Sequence, residues 1–129
     1  MADLAKKRVL VIDDASLVRM YYRDALERAG YEVDEALNGL EALEKLLVAP
    51  ADLLIVDVNM PQMDGLTFLK VLRRQDLPLA ATPALVTSTE AAPQDKAAAQ
   101  AAGANFYLVK PLTPEMLADY AGRMSGRPA

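Results

Sequence analysis

The sequence contains no cysteine and no histidine. These absences exclude disulfides, thiol nucleophiles, Cys/His zinc sites and any histidine-based catalytic triad. Whatever chemistry the chain performs must use carboxylates, hydroxyls and lysine. A long hydrophobic run is missing too: the N-terminus, "MADLAKKRVLVIDD", offers four apolar residues before two acids. That is too short for a signal peptide or a membrane span, and the expected location is the cytoplasm. Nor is there an excess of basic charge, since 14 Lys and Arg stand against 18 Asp and Glu, a net charge of −4. A protein that tracks a nucleic-acid backbone needs clustered Lys and Arg. Neither a nucleic-acid partner nor membrane insertion is expected.

What is present is globular. Apolar residues make up 53% and charged residues 25% of 129 residues, enough to bury one core but not two. Four short apolar runs stand out: "RVLVI" before Asp13, "DLLIV" before Asp57, "PALVT" through Thr87 and "NFYLV" before Lys110. A fifth segment, "YEVDEA" at 31–36, alternates as a half-exposed strand does. Non-alternating Val/Ile/Leu runs of this length suit a parallel sheet covered on both faces.

Segments with helical spacing lie between the runs. In the first, Leu17, Met20, Tyr21, Ala25 and Leu26 are expected to share the buried face, with Gly30 as the stop. Asn38 is expected to cap a second helix whose stripe is Leu40, Leu43, Leu46 and Leu47. The third opens near Gly65 and carries Leu66, Leu69, Val71 and Leu72. The fourth runs from Pro93 to Gly103, and its alanines at 97–99 are either neutral filler or a surface that lets a partner helix approach. The fifth begins with Thr113 as cap and Pro114 as first residue, then carries Met116, Leu117 and Tyr120. Five β-α repeats predict a doubly wound α/β fold with a parallel sheet.

In such folds ligands sit outside the carboxyl ends of the strands. Asp13 and Asp14 end the first run, Asp57 the third, Thr87 and Ser88 the fourth, and Lys110 the fifth. Three carboxylates on one rim repel one another unless a cation intervenes, and an all-oxygen donor set suits Mg2+. Lys110 and the Thr87 hydroxyl can both bind an oxyanion. A nucleophilic carboxylate, a metal site and two oxyanion-binding groups are what phosphoryl transfer to an aspartate requires. Each residue also has an ordinary reading: Asp57 as a strand-end acid, Asp13 and Asp14 as helix caps, Lys110 as a surface lysine, Thr87 as a strand hydroxyl.

The pieces "VLVIDDASLVR", "LLIVDVNMPQMDG", "ALVTS" and "FYLVKPL", taken in order, resemble the receiver domains of two-component response regulators, specifically the single-domain chemotaxis type, the CheY-like proteins. The resemblance spans residues 7–123, with 1–6 as an N-terminal extension and 124–129 as a frayed tail. It implies a flavodoxin-like sheet of order 2-1-3-4-5. It further implies Asp57 as phosphoacceptor and Mg2+ held by Asp13, Asp14, Asp57 and the backbone carbonyl of Asn59. Thr87 and Lys110 would contact the phosphoryl group, Ser88 would lend its backbone N–H, and the Lys110–Pro111 bond would be cis. Tyr107 matches the family's switch aromatic; its ordinary reading is a ring packed in the last strand, with Phe106 as an alternative core ring. Asn59 and Thr89 lie where members tune the lifetime of the aspartyl phosphate. The sequence departs from the commonest pattern at Leu112, where many members have phenylalanine, and in lacking the lysines that open the fourth helix of enteric members.

The expected function is a monomeric switch that accepts a phosphoryl group from a histidine kinase. With no output domain in these residues, it would then bind a flagellar motor switch protein or a histidine phosphotransferase. A stand-alone relay or phosphate sink in another phosphorelay is the alternative. A phosphohydrolase is disfavoured, because Asn59 stands where its second acid is needed and 129 residues leave no room for a cap domain. The chain is therefore expected to catalyse only its own phosphorylation and dephosphorylation.

Overall fold

The structure, a computed structural model, describes residues 6–126. Strand β1 (Arg8–Ile12) leads into helix α1 (Ser16–Arg28), and β2 (Glu32–Ala36) into α2 (Gly39–Val48). Next come β3 (Leu53–Asp57), α3 (Gly65–Leu72), a single 3-10 turn at Leu79–Ala81, β4 (Ala84–Ser88), α4 (Pro93–Ala102), β5 (Phe106–Val109) and α5 (Pro114–Met124). All strand pairs are parallel, in the order β2-β1-β3-β4-β5. The order and the five helices match the flavodoxin-like expectation. No helix among the described residues is long and apolar enough to cross a membrane.

Alternation along the strands divides the core into two layers. Leu10, Ile12, Leu54, Val56, Ala84 and Val86 face α2, α3 and α4, where they meet Leu46, Phe68, Leu69 and Ala99. Val9, Val11, Leu53, Ile55 and Leu85 face α1 and α5, where they meet Tyr22, Leu26 and Leu117. The second set of rows matters for function. Counted two residues onward, it runs from Val11 to Asp13, from Ile55 to Asp57, from Leu85 to Thr87 and from Leu108 to Lys110.

Helix caps follow the sequence where a side chain can supply them. Asn38 accepts from the Glu41 N–H at 2.9 Å, Asp64 from Thr67 at 2.8 Å and Thr113 from Met116 at 3.1 Å. Neither Asp13 nor Asp14 caps α1. Ala15 holds the N-cap position there, which leaves the two acids outside the helix.

Three helix faces differ from expectation. On α1, Leu17 is 76%, Met20 63% and Tyr21 45% exposed, while Tyr22, Ala25 and Leu26 are buried. The true face follows 18, 22, 25, 26 and 29, and Leu17 and Tyr21 sit one residue, about 100°, off it. On α2 the buried residues are Gly39, Ala42 and Leu46, while Leu40 and Leu47 are exposed and Leu43 packs only partly. Gly39 packs against Met63 and Phe68 so closely that a Cβ would lie 2.8 Å from each, and the leucines at 40 and 47 face outward. On α3, Leu69 and Leu72 are buried as expected, and Phe68, which the spacing argument passed over, is fully buried. Phe106 is no core ring: it is half exposed at the edge of the sheet and packs edge-on against Tyr120, centroids 5.6 Å apart. Ser125, assigned to the frayed tail, is buried, and its N–H donates to the Ala121 carbonyl at 3.0 Å. Residues 1–5 and 127–129 of the expected extension and tail lie outside the described residues.

Arg73 carries an unusual structural load, because its guanidinium faces carbonyls and, among the described residues, no carboxylate. It donates to Thr82 O at 2.6 Å, Ala80 O at 3.0 Å, Gly103 O at 2.7 Å and Asn105 Oδ1 at 3.1 Å. Burial pulls its pKa down from the usual arginine value. Gly103, at φ +115°, ends α4 where a side chain would collide with the Arg73 stem at 2.7 Å. Arg73→Ala strands the buried Thr82 carbonyl and the partly buried carbonyls of Ala80 and Gly103, and we expect a loss of about 2 kcal/mol, read as a lower Tm in a thermal melt.

Candidate functional site

Extending the α1/α5-facing rows past the ends of their strands brings Asp13, Asp57, Thr87 and Lys110 to one rim. Each strand ends with its amide ladder intact: the Asp13 N–H donates to Ala36 O at 3.1 Å, and Asp57 lies opposite Thr87 in register. Asp13 is 1% and Asp57 7% exposed, whereas Asp14 projects into solvent. Oxygen atoms of the three carboxylates lie within 4.8 Å of one another.

Lys110 is the cation that makes this tolerable. Its ammonium donates to Asp13 Oδ2 at 3.1 Å and to Asp57 Oδ1 at 3.1 Å. Burial alone would lower the Lys110 pKa, but Asp13 and then Asp57 outweigh it and hold the ammonium above the usual lysine value. Asp57 moves up from the ordinary carboxylate range, first because it is buried and then because Asp13 repels its charge, with Lys110 opposing both. The other oxygen of Asp13, Oδ1, accepts from the Ala15 N–H at 2.9 Å. Three carboxylates against one ammonium leave two negative charges in excess, and every donor is a hard oxygen. That set fits a divalent cation of the Mg2+ kind.

Thr87 is fully buried, and its hydroxyl makes no hydrogen bond of normal geometry. Burial raises the pKa of the neighbouring Tyr22 phenol, with Lys110 opposing, Asp13 adding to the rise and Thr87 opposing it more weakly. A buried hydroxyl without a partner is costly to keep and marks a place where an acceptor is missing.

Residues 9–121 match the family described as response regulator receiver domain. The chain belongs to that family. The chemotaxis protein CheY1 of Helicobacter pylori is 42% identical over 112 residues, a match that covers 85% of this chain and 90% of that protein. A protein-glutamate methylesterase/protein-glutamine glutaminase of Archaeoglobus fulgidus is 53% identical over 74 residues, 56% of this chain and 21% of that longer protein. Among solved structures, the chemotaxis protein CheY4 of Vibrio cholerae superposes with a TM-score of 0.87 at 41% identity, covering 93% of this chain and 99% of that one.

The receiver brings Asp13, Asp14, Asp57 and Lys110 into one cluster and sets Thr87 beside Asp57. Ser88 and Tyr107 lie on the opposite face of the sheet. There the Ser88 hydroxyl accepts from the Glu90 N–H at 3.0 Å, and the Tyr107 hydroxyl donates to the Glu90 carbonyl at 2.7 Å. One loop residue is thus held from both sides. Asn59 is exposed in the β3–α3 loop and borders, with Ser88, Glu90 and Tyr107, a hollow of about 300 Å3. The Lys110–Pro111 peptide is cis. A second hollow, also about 300 Å3, opens beside Lys110 between α1 and the β5–α5 loop, walled by Leu17, Tyr21, Tyr22 and Leu112.

Sequence reasoning passed over Tyr22, Arg19 and the main chain of Ala15 and Glu90. Backbone groups carry no residue-type signal. Tyr22 had one: it lies on the i, i+3, i+4 face with Ala25 and Leu26.

Gly65, the first residue of α3, lies against the end of the strand that carries Asp57. A Cβ at this position would lie 2.2 Å from the Asp57 carbonyl oxygen and 3.0 Å from Val56 Cγ1. The Gly65 N–H also closes the loop on Val58 O at 2.9 Å. Because the obstacle is main chain, Gly65→Ala must displace the very strand end that carries Asp57. We expect a loss of about 3 kcal/mol in the urea unfolding free energy, with the midpoint falling in proportion.

Proposed function

We propose that the protein is a phosphorylation-controlled switch in which Asp57 is the phosphoacceptor. An Asp57 carboxylate oxygen attacks the phosphorus of a phosphohistidine on a histidine kinase. The new O–P bond forms as the P–N bond breaks, and the imidazole leaves with the electron pair. Asp13, Asp14, Asp57 and the Asn59 carbonyl would hold Mg2+, which when bound supplies positive charge opposite the phosphoryl oxygens. Lys110 already bridges two acids and is placed to exchange one of them for a phosphoryl oxygen. The unpartnered Thr87 hydroxyl and the Ser88 N–H complete the oxyanion contacts.

The observation that carries this reading is the cluster itself: one ammonium 3.1 Å from two buried carboxylates, with a third within 4.8 Å. Phosphorylation would draw Thr87 toward the new phosphate, and Tyr107, pinned to Glu90, would report the change to the surface formed by α4, β5 and α5. The output partner would be a flagellar motor switch protein or a histidine phosphotransferase in the cytoplasm. The names of the Helicobacter and Vibrio relatives favour chemotaxis.

Phosphotransfer profiling against purified kinases tests this. Fast, preferential transfer from a chemotaxis kinase is the expected result. Preference for an unrelated kinase would replace the chemotaxis role with that of a relay or phosphate sink at the same aspartate.

A further inference from the structure

Arg19 on α1 is a cation next to a site proposed to bind a cation, and the charge by itself works against that site. Its side chain is only 11% exposed, so it is built in rather than solvated. One arm, Nη1, donates to the main-chain carbonyl of Asp13 at 2.7 Å, and Nε donates to Glu35 Oε1 at 2.8 Å. The second oxygen of Glu35 is held by Arg23 at 2.6 Å. Burial raises the Glu35 pKa, but Arg23 and Arg19 outweigh it and keep the carboxylate ionised below its usual range. Glu35 itself sits on the edge strand β2, and Lys45 of α2 donates to its main-chain carbonyl.

We infer that Arg19 is a positioning residue for the acidic site, acting through the main chain of Asp13, with Glu35 as the anchor that holds it there. The inference rests on the proposed metal-dependent phosphorylation. Asp13 is the first residue beyond β1: its N–H still donates to Ala36 O, but its carbonyl has no strand partner among the described residues. Arg19 supplies that partner and ties the carbonyl to β2. With the peptide held, Asp13 Oδ1 stays on the Ala15 N–H and Oδ2 stays turned toward Lys110 and Asp57. Two acceptors on different segments call for a forked donor, which arginine has and lysine lacks.

The sign of one measurement separates positioning from charge. On Coulomb's law alone, removing Arg19 strengthens binding of a cation nearby. A positioning role predicts the opposite. Mg2+ titration of Arg19→Met, by calorimetry and by the amide shifts of Asp13 and Ala15, is expected to give affinity roughly tenfold weaker than wild type. Acetyl phosphate labelling should return to the wild-type rate at saturating Mg2+, because the loss lies in binding rather than in the reaction. Arg19→Lys keeps the charge without the fork and should lose several-fold. Should Arg19→Met fail to fold, the lysine variant carries the test. Unchanged or tighter Mg2+ binding in either folded variant overturns the inference. A wild-type protein that binds no Mg2+ overturns the functional reading as well, and so is distinguishable from failure of Arg19's role alone.

Discussion

Asp57→Asn is expected to take up no acyl phosphate from acetyl phosphate and Mg2+, and to melt at a higher temperature than wild type in metal-free buffer at neutral pH. The first effect follows from losing the nucleophile, and the labelling rate should fall by at least about a thousandfold. The second follows from where the acid sits. Burial, then repulsion from Asp13, raise the Asp57 pKa, and Lys110 only partly offsets them. A carboxyl group with a raised folded-state pKa contributes stability that is fully present below its unfolded value, about 3.9, and is lost as pH rises through the folded value. Asparagine does not titrate. Its advantage therefore opens across that window and persists to pH 7. Adding Mg2+ should close the gap, because a ligand that binds only the folded wild type stabilises it by mass action. Melts of both proteins at acid and neutral pH, with and without Mg2+, check all of this. An Asp57→Asn protein less stable than wild type at pH 7 without metal would mean the acid is a structural partner of Lys110.

Lys110→Ala has the second largest expected effect and acts on stability and function together. Lys110 is the ammonium that bridges Asp13 and Asp57, whose side chains are 2% and 10% exposed. Breaking a fully buried pair costs about 3–5 kcal/mol. The 19% exposure of the Lys110 side chain argues for a smaller figure, on the order of 2 kcal/mol. The variant should still fold, with a deficit that shrinks as acid protonates Asp57 and when Mg2+ is added. Labelling of Asp57 should slow at least about tenfold. Binding to the output partner should no longer respond to beryllofluoride. Chemical denaturation at two pH values, with a pulldown in the presence and absence of beryllofluoride, reads each part. An Mg2+-saturated variant that remains unfolded would reassign Lys110 as structural.

The strands and their order of occurrence were legible because each apolar run ends on a polar residue of the rim. Asp13, Asp57 and Lys110 were legible for a physical reason, since a charge beside a buried strand needs a partner and the neighbouring strand ends offer one. Alternation also contains the division that the structure displays, with Asp13, Asp57, Thr87 and Lys110 on the α1/α5 side and Ser88 and Tyr107 on the other. The phase of α1 was misread because Leu17 and Tyr21 are as apolar as the buried face and lie only one residue off it, while Met20 falls on the opposite side. On α2 the inward positions include Gly39, pressed against Met63 and Phe68, and Ala42, which a count of leucines inverts. Phe106 was misjudged because a strand at a sheet edge need not bury its large residue. The Ala15 amide, the Glu90 main chain and the Arg19 bridge to Asp13 depend on backbone paths that no spacing encodes.

The central claim is that Asp57 receives the phosphoryl group. The direct measurement is to label the wild-type protein with acetyl phosphate and Mg2+, trap the acyl phosphate by borohydride reduction, and map the reduced residue by peptide mass spectrometry. The account predicts one modified position, Asp57, and none when Mg2+ is chelated. A trapped product at Asp13, Asp14 or any other residue, with Asp57 unmodified, would contradict it.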